Sequence, residues 1–350
     1  MVRRTLIPGV IALLALTGLR ASAQFAAVIG PPQGAGPTPV LAEFHLQDID
    51  AIDDESETIS FAGSLILRWK DTRQVFDSAE TGVPELIFND LSGLMDVHPI
   101  WLPTVDLLNA AGPLDVRSEM LRITPDGTCT LMRSLNGSAK SRMDLSRFPF
   151  DEQQMEINLR IHGLYPQEAF LEPSGQGAYF DQGSLRVPQW DVRGASMRKE
   201  AIVTTVLGAH VNVPVLAVSI DIARDPVHIL RLVLFPLAVI VVLSWGVFWM
   251  DRSSLGDRMG VSFVGILTAV TYQVLLSDVL PDISYTTFIH AFINFSFFTM
   301  ALSVPVNLLV GIFDQRGRTD RGDRLDRVCR WAFPTGYVLL LAISWAFFRS

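Results

Sequence analysis

The chain has 350 residues, a formal net charge of −8, a hydrophobic fraction of 49% and a mean hydropathy of +0.33. Its apolar residues are unevenly placed. Residues 24–225 read as a water-exposed domain and residues 226–350 as long apolar runs, so two domains of different solvent class are expected. The first of these carries 28 Asp/Glu against 15 Lys/Arg, and that acidity excludes nucleic acid as a partner.

Residues 1–23 begin with Arg3-Arg4, continue through an apolar run from Leu6 to Leu19 and end in Ala21-Ser22-Ala23. This is the pattern of a signal peptide with an A-x-A cleavage site, so the mature chain is expected to start near Gln24, with the acidic domain exported. The two cysteines, Cys129 and Cys329, then fall on opposite sides of a membrane and no disulfide is expected.

Gln24 to Pro39 is rich in Gly, Pro and Ala and reads as a loose lead-in. Short β-type runs follow: Ile59–Trp69, Arg117–Ile123, Cys129–Leu135, Met155–Ile161, Trp190–Ser196, Ile202–Leu207 and Val215–Ile222. Pro125-Asp126-Gly127 and Leu135-Asn136-Gly137 read as hairpin turns. Many short strands at this spacing predict an all-β, immunoglobulin-like antiparallel sandwich over residues 24–225. No P-loop, dinucleotide fingerprint, nucleophile elbow or metal-ligand spacing occurs, and the six histidines are scattered. Neither an enzyme nor a metal or other cofactor is expected.

Residues 226–350 hold four runs long enough to cross a bilayer, about Ile229–Met250, Arg258–Leu276, Tyr285–Phe313 and Trp331–Phe348. Pro236 and Pro305 imply local breaks in helical hydrogen bonding. The link before the fourth run carries Arg316, Arg318, Arg321, Arg324, Arg327 and Arg330, whereas the link between the second and third carries no base. By the positive-inside rule the arginine-rich link is cytoplasmic, which puts the exported domain in the periplasm of a bacterial inner membrane, surrounded by membrane lipid below. In the second run, Gly260, Val264, Leu267, Thr271, Val274 and Asp278 repeat at steps of four, three, four, three and four. Such a stripe is either a seam against neighbouring helices or the lining of a water-filled pore, and spacing alone favours the seam.

The segment Ser141–Met155 contains Phe148-Pro149-Phe150-Asp151-Glu152-Gln153, which resembles the signature loop of the pentameric ligand-gated ion channels (the Cys-loop receptor superfamily). Ser141 and Met155 stand where animal members have the loop cysteines, as is usual in prokaryotic members. Trp69-Lys70-Asp71-Thr72-Arg73, Trp101-Leu102-Pro103 with Asn109, and Ile220–Pro226 are similar to further family segments. Trp190–Gly194 is similar to a run in bacterial members of the Erwinia type. Trp245–Trp249 and Leu280-Pro281 with Ser284–Thr287 resemble the end of the family's first membrane helix and its second-to-third loop.

The resemblance implies a homopentameric ring of sandwiches above a four-helix transmembrane bundle, with the stripe turned toward a pore. Leu267 takes the place of the family's central leucine ring, and with Val264 or Val274 it would close by dewetting. Asp257 and Asp278 would form acidic rings at the two mouths, favouring permeating monovalent cations, with Arg258 turned away from the lumen. The family's aromatic ligand positions fall on Ser64, Leu108 and His162, with Tyr165 and Trp190 nearby. The cation–π box of amine-gated members is therefore mostly missing, and either another small-molecule agonist or protons acting through His162 is expected. Asp54 in the Ile52–Ser56 loop, Phe148, Pro149, Asp151 and Arg224 are implied to meet Pro281 and couple the domains, with Asp151 and Arg224 as a partly buried ion pair. The competing reading is a non-conducting periplasmic sensor on a four-helix anchor. It leaves the acid-ended stripe unexplained.

Overall fold

The computed structural model describes residues 30–32, 34, 36–91, 94, 98–162, 168–181, 183, 185, 187–206, 209–251, 254–276 and 285–349. Signal residues 1–23, Tyr165, Asp278 and Pro281 thus lie outside the described residues. Two sheets face one another. The first is built from β1 (Thr38–Asp53), β2 (Thr58–Lys70), β3 (Leu86–Phe88), β5 (Asp115–Ile123), β6 (Thr128–Lys140) and β8 (Ala169–Phe180), in the order β3-β5-β6-β2-β1-β8. The second holds β4 (Val105–Leu107), β7 (Glu152–Ile161), β9 (Trp190–Val206) and β10 (Ala209–Arg224), in the order β4-β7-β10-β9.

Alternation in β2 sends Ile59, Phe61, Leu65 and Leu67 inward, where Leu216, Val218 and Ile220 of β10, a strand buried on both faces from Val215 to Ile220, join the same core; all seven are fully buried. Burying each such side chain contributes about 1.5–3 kcal/mol, and the period-2 pattern of β2 is what sets that strand's register. The expected sandwich is therefore present, with four differences. The pairing of β1 with β8 is parallel, whereas the other paired strands are antiparallel. Asn136-Gly137 is not a turn but lies within β6, where Gly137 pairs with Phe61. A Cβ on Gly137 would come within 2.9 Å of Leu114 and 3.1 Å of Phe61, so glycine is there to admit its neighbours. The Pro125-Asp126-Gly127 turn does join β5 to β6, with Gly127 in the left-handed region at φ +79°. Trp190–Ser196 and the part of the next expected strand from Ile202 to Val206 merge into the single strand β9, and β1 starts at Thr38, inside the expected lead-in.

Four apolar helices follow: α1 (Val227–Trp249), α2 (Leu255–Leu276), α3 (Phe288–Gln315) and α4 (Thr319–Arg349). In α1 the hydrogen bonding widens to a π-type turn over Leu230–Leu234, directly before Pro236, and its last turn, Gly246–Trp249, tightens to 3-10 geometry. Pro305 is accommodated within α3 without ending it. The arginine-rich segment is mostly helix rather than link. It turns at Arg316–Arg318, where Gly317 has φ +67°, and α4 then runs through the remaining arginines. Asp326 and Cys329 are buried there while Arg321, Arg324 and Arg327 are exposed, an amphipathic pattern that holds those turns to the bundle. Both cysteines are buried and unbonded, and burial pushes the Cys129 thiol up to about 12, so it is inert at neutral pH.

Candidate pore helix and coupling cluster

Helix α2 packs on α1 and α3 through one face. Arg258, Ser262, Ala269 and Leu276 are buried on it, and the Tyr272 hydroxyl donates to the Leu232 carbonyl of α1. The stripe read from the sequence lies elsewhere. Gly260 and Thr271 are exposed, and Val264, Leu267 and Val274 are 65–67% exposed. The seam between helices is thus made by a different set of residues, and the stripe points away from its own bundle. The Thr271 hydroxyl donates to the Leu267 carbonyl at 3.0 Å, which settles its polar group within the helix.

The foot of α2 carries two adjacent and opposite charges. Asp257 is exposed in the first turn, where the helix dipole favours an acid. Arg258 is almost completely buried and donates to both carboxylate oxygens of Asp326 in α4, at 3.0 and 2.7 Å. Asp326 falls in the stretch expected as a link, and no local pattern marks it as a partner of Arg258.

Among the described residues, those implied as ligand positions do not gather within one chain. Leu108 and His162 both flank the β4–β7 pairing, the Leu108 N–H donating to Asn158 O and the His162 N–H to Thr104 O. Ser64 belongs to the other sheet, opposite His45 and Ser134, and accepts from Gln47 Nε2 at 3.0 Å. The exposed His162 imidazole lies 3.4 Å from Asp106, which also accepts from Arg160 at 3.1 Å. Burial pushes the Asp106 carboxyl up, but the bonds from Arg160, His162 and the Leu107 N–H outweigh it and hold the group below the usual carboxylate range.

Trp190 stands apart from all of these. It lies against Arg224, the last residue of β10, whose guanidinium carbon is 4.0 Å from the Trp190 ring centre and 4.7 Å from that of Phe148. Arg224 Nε donates to Asp151 at 2.9 Å, and a second nitrogen is 2.8 Å from Asp54. Gln153 supports Asp151 with a further bond at 2.8 Å. The Arg224 and Asp151 side chains are 2% and 1% exposed, so the pair is fully rather than partly buried. The cluster joins the loop after β1, the Phe148–Asp151 turn with its cis Phe148-Pro149 bond, and the strand that runs into α1.

A second junction joins the domains at residues that none of the sequence motifs singles out as partners. Phe150 packs edge-on against Trp345 of α4 at 4.8 Å and against Phe288 of α3 at 6.4 Å, and the Leu145 N–H donates to the Tyr285 hydroxyl at 2.8 Å. A cavity of about 670 Å³ opens beside these rings, bordered by Asp144, Arg147 and Phe348. Aromatic residues at a span end were the available signal, since such rings collect at the membrane interface.

The chain matches the neurotransmitter-gated ion-channel ligand binding domain over residues 20–226 and the neurotransmitter-gated ion-channel transmembrane region over residues 233–321. It is 25% identical to gamma-aminobutyric acid receptor subunit rho-3 of Homo sapiens over 321 residues, 88% of this chain and 67% of that protein. It is 23% identical to a proton-gated ion channel of Gloeobacter violaceus over 331 residues, covering 91% and 86%. Similarity to the beta-4 subunit of the Gallus gallus gamma-aminobutyric acid receptor is 23% over 306 residues, covering 86% and 60%.

Proposed function

This chain belongs to the neurotransmitter-gated ion-channel family, the pentameric ligand-gated channels, and from that premise we propose that it forms a homopentameric, cation-selective channel of a bacterial inner membrane. Residues 1–23 are removed on export, residues 24–225 stand in the periplasm and residues 226–350 form the pore domain. The observation that carries this reading is the exposure of Gly260, Val264, Leu267, Thr271 and Val274 on α2 while the other side of the helix is buried in its own bundle. One copy of such a stripe encloses nothing; a closed ring of copies gives it a lumen.

Rings of Leu267 and its valine neighbours close the passage by dewetting, and carboxylates at Asp257 and Asp278 favour cations. Opening begins in the sandwich. Arg224 ties the Phe148–Asp151 turn and the loop at Asp54 to the strand entering α1, so a shift in either loop moves the head of the membrane domain.

Two stimuli fit, a small periplasmic ligand and protons. The exposed His162–Asp106 pair, with the similarity to a proton-gated channel, supports protons. Single-channel recording across a bilayer under a salt gradient tests the function. Stimulus-dependent currents reversing toward the cation equilibrium potential are expected. The absence of current in response to acid and to amine, amino-acid and other small-molecule ligands would leave only a sensor.

A further inference from the structure

The two faces of α2 are locked to one another by helical geometry. Gly260, Val264, Leu267, Thr271 and Val274, with Asp257 at the edge, lie on one side, while Arg258, Ser262, Ala269 and Leu276 lie on the opposite side; at the foot of the helix Asp257 and Arg258 are neighbours about 100° apart. Whatever anchors the second side therefore decides what the first displays. The anchoring is polar and concentrated at the foot of the helix. Ser262 accepts from Asn307 at 2.9 Å and from Ser303 at 3.2 Å, all three residues being buried. Gly311 of α3 lies so close that a Cβ there would come within 2.7 Å of Leu255. Arg258 meets Asp326 through two near-parallel bonds, the arrangement that fixes a guanidinium in direction as well as position.

We propose that Asp326 is a positioning residue for ion selectivity: by holding Arg258 inside the bundle it leaves Asp257, and not a guanidinium, at the mouth of the channel. The proposal rests on the pore reading above. The charges on neighbouring residues are opposite, so a turn of the helix foot by one residue would exchange an acidic ring for a basic one. Without Asp326 the buried Arg258 has lost its counter-charge, an arrangement proteins relieve by moving the charge toward water. Its long side chain can reach solvent even without a full turn. Helix packing alone does not distinguish Asp326 from a neutral residue of its size; selectivity does.

The test uses the full-length pentamer in bilayers under a NaCl gradient. Asp326→Asn should lower the cation-to-anion permeability ratio by about tenfold or more, as expected when a cation is placed beside a permeating cation. The double variant R258Q/D326N has no base to release and should keep the wild-type ratio. An unchanged ratio in D326N at normal conductance overturns the proposal, as does a loss of cation preference in the double variant equal to that in D326N. Where D326N does not assemble alone, mixed pentamers with wild-type subunits should show a ratio that falls with the mutant fraction, and a constant ratio overturns it. A wild-type channel that passes no current defeats the pore reading instead. In that event D257C labelling by a water-soluble thiol reagent still reads the clamp: labelling should drop when D326N is added, and equal labelling removes the clamp alone.

Discussion

The guanidinium of Arg224 lies 4.0 Å from the ring centre of Trp190, at the point where the last strand of the sandwich enters the first membrane helix. This places Trp190 with the residues that join the two domains. Contacts of this kind are worth about 0.5–2 kcal/mol. Trp190→Ala should therefore shift the activating pH or ligand concentration by about threefold or more, with Trp190→Phe close to wild type. Macroscopic current–response curves on purified pentamers check this, and equal responses in the two variants would contradict it.

Removal of Asp151 should be severe. Asp151→Ala leaves Arg224 buried with Asp54 as its remaining carboxylate partner, and breaking a buried pair in this way costs about 3–5 kcal/mol. Loss of gating or of pentamer assembly is expected, read by size-exclusion chromatography and current recording. Asp54→Asn, at the more exposed corner of the cluster, should be milder. A D151A channel with wild-type assembly and response would remove the cluster from the gating pathway.

Thiol accessibility should separate the faces of α2. Cysteines at Val264, Leu267 and Thr271 should react with water-soluble thiol reagents during stimulation, and a cysteine at Ala269 on the buried face should not. Leu267→Thr should also raise the resting conductance, because a hydroxyl ring weakens dewetting. Equal reactivity at Leu267 and Ala269 would contradict the orientation.

Acid should act on an imidazole rather than on the loop carboxylates near the membrane. The Ser56 backbone N–H and side chain, with help from the Glu55 N–H, hold the Asp53 carboxyl below its ordinary value, and Ser146 does the same for Asp144. A carboxyl lowered in the folded state stabilises the fold above its unfolded pKa of roughly 3.9, and the contribution fades as pH falls through the lower folded value. Both groups therefore stay charged from pH 8 down to about pH 4. Asp53→Asn should leave a pH-activation midpoint in that window in place, whereas His162→Gln should move it, because it removes the exposed imidazole that faces Asp106 at 3.4 Å. A midpoint moved by D53N and not by H162Q would reverse the assignment.

Much of what short-range periodicity sets was legible in the chain itself, although β1 and β8 were not among the expected strands. Alternating residues in Ile59–Trp69 mark a strand, Pro125-Asp126-Gly127 marks a turn, four apolar runs mark four helices, and the 3.5-residue repeat from Gly260 marks a face. These signals are local because side-chain direction repeats every two residues in a strand and every 3.6 in a helix. Tertiary structure decided the partners. It turned Asn136-Gly137 into strand, since the neighbours of Gly137 are Leu114 and Phe61 rather than a bend. It carried Trp190 to Arg224 and brought Asp326 to Arg258, 68 residues away in sequence. Residue spacing marks the faces of a helix, but which face is buried is set by the elements packed on it. For α2 those elements are α1 and α3, with the Arg258–Asp326 ion pair to α4 at its foot, and partners so distant in sequence leave no mark on the local pattern.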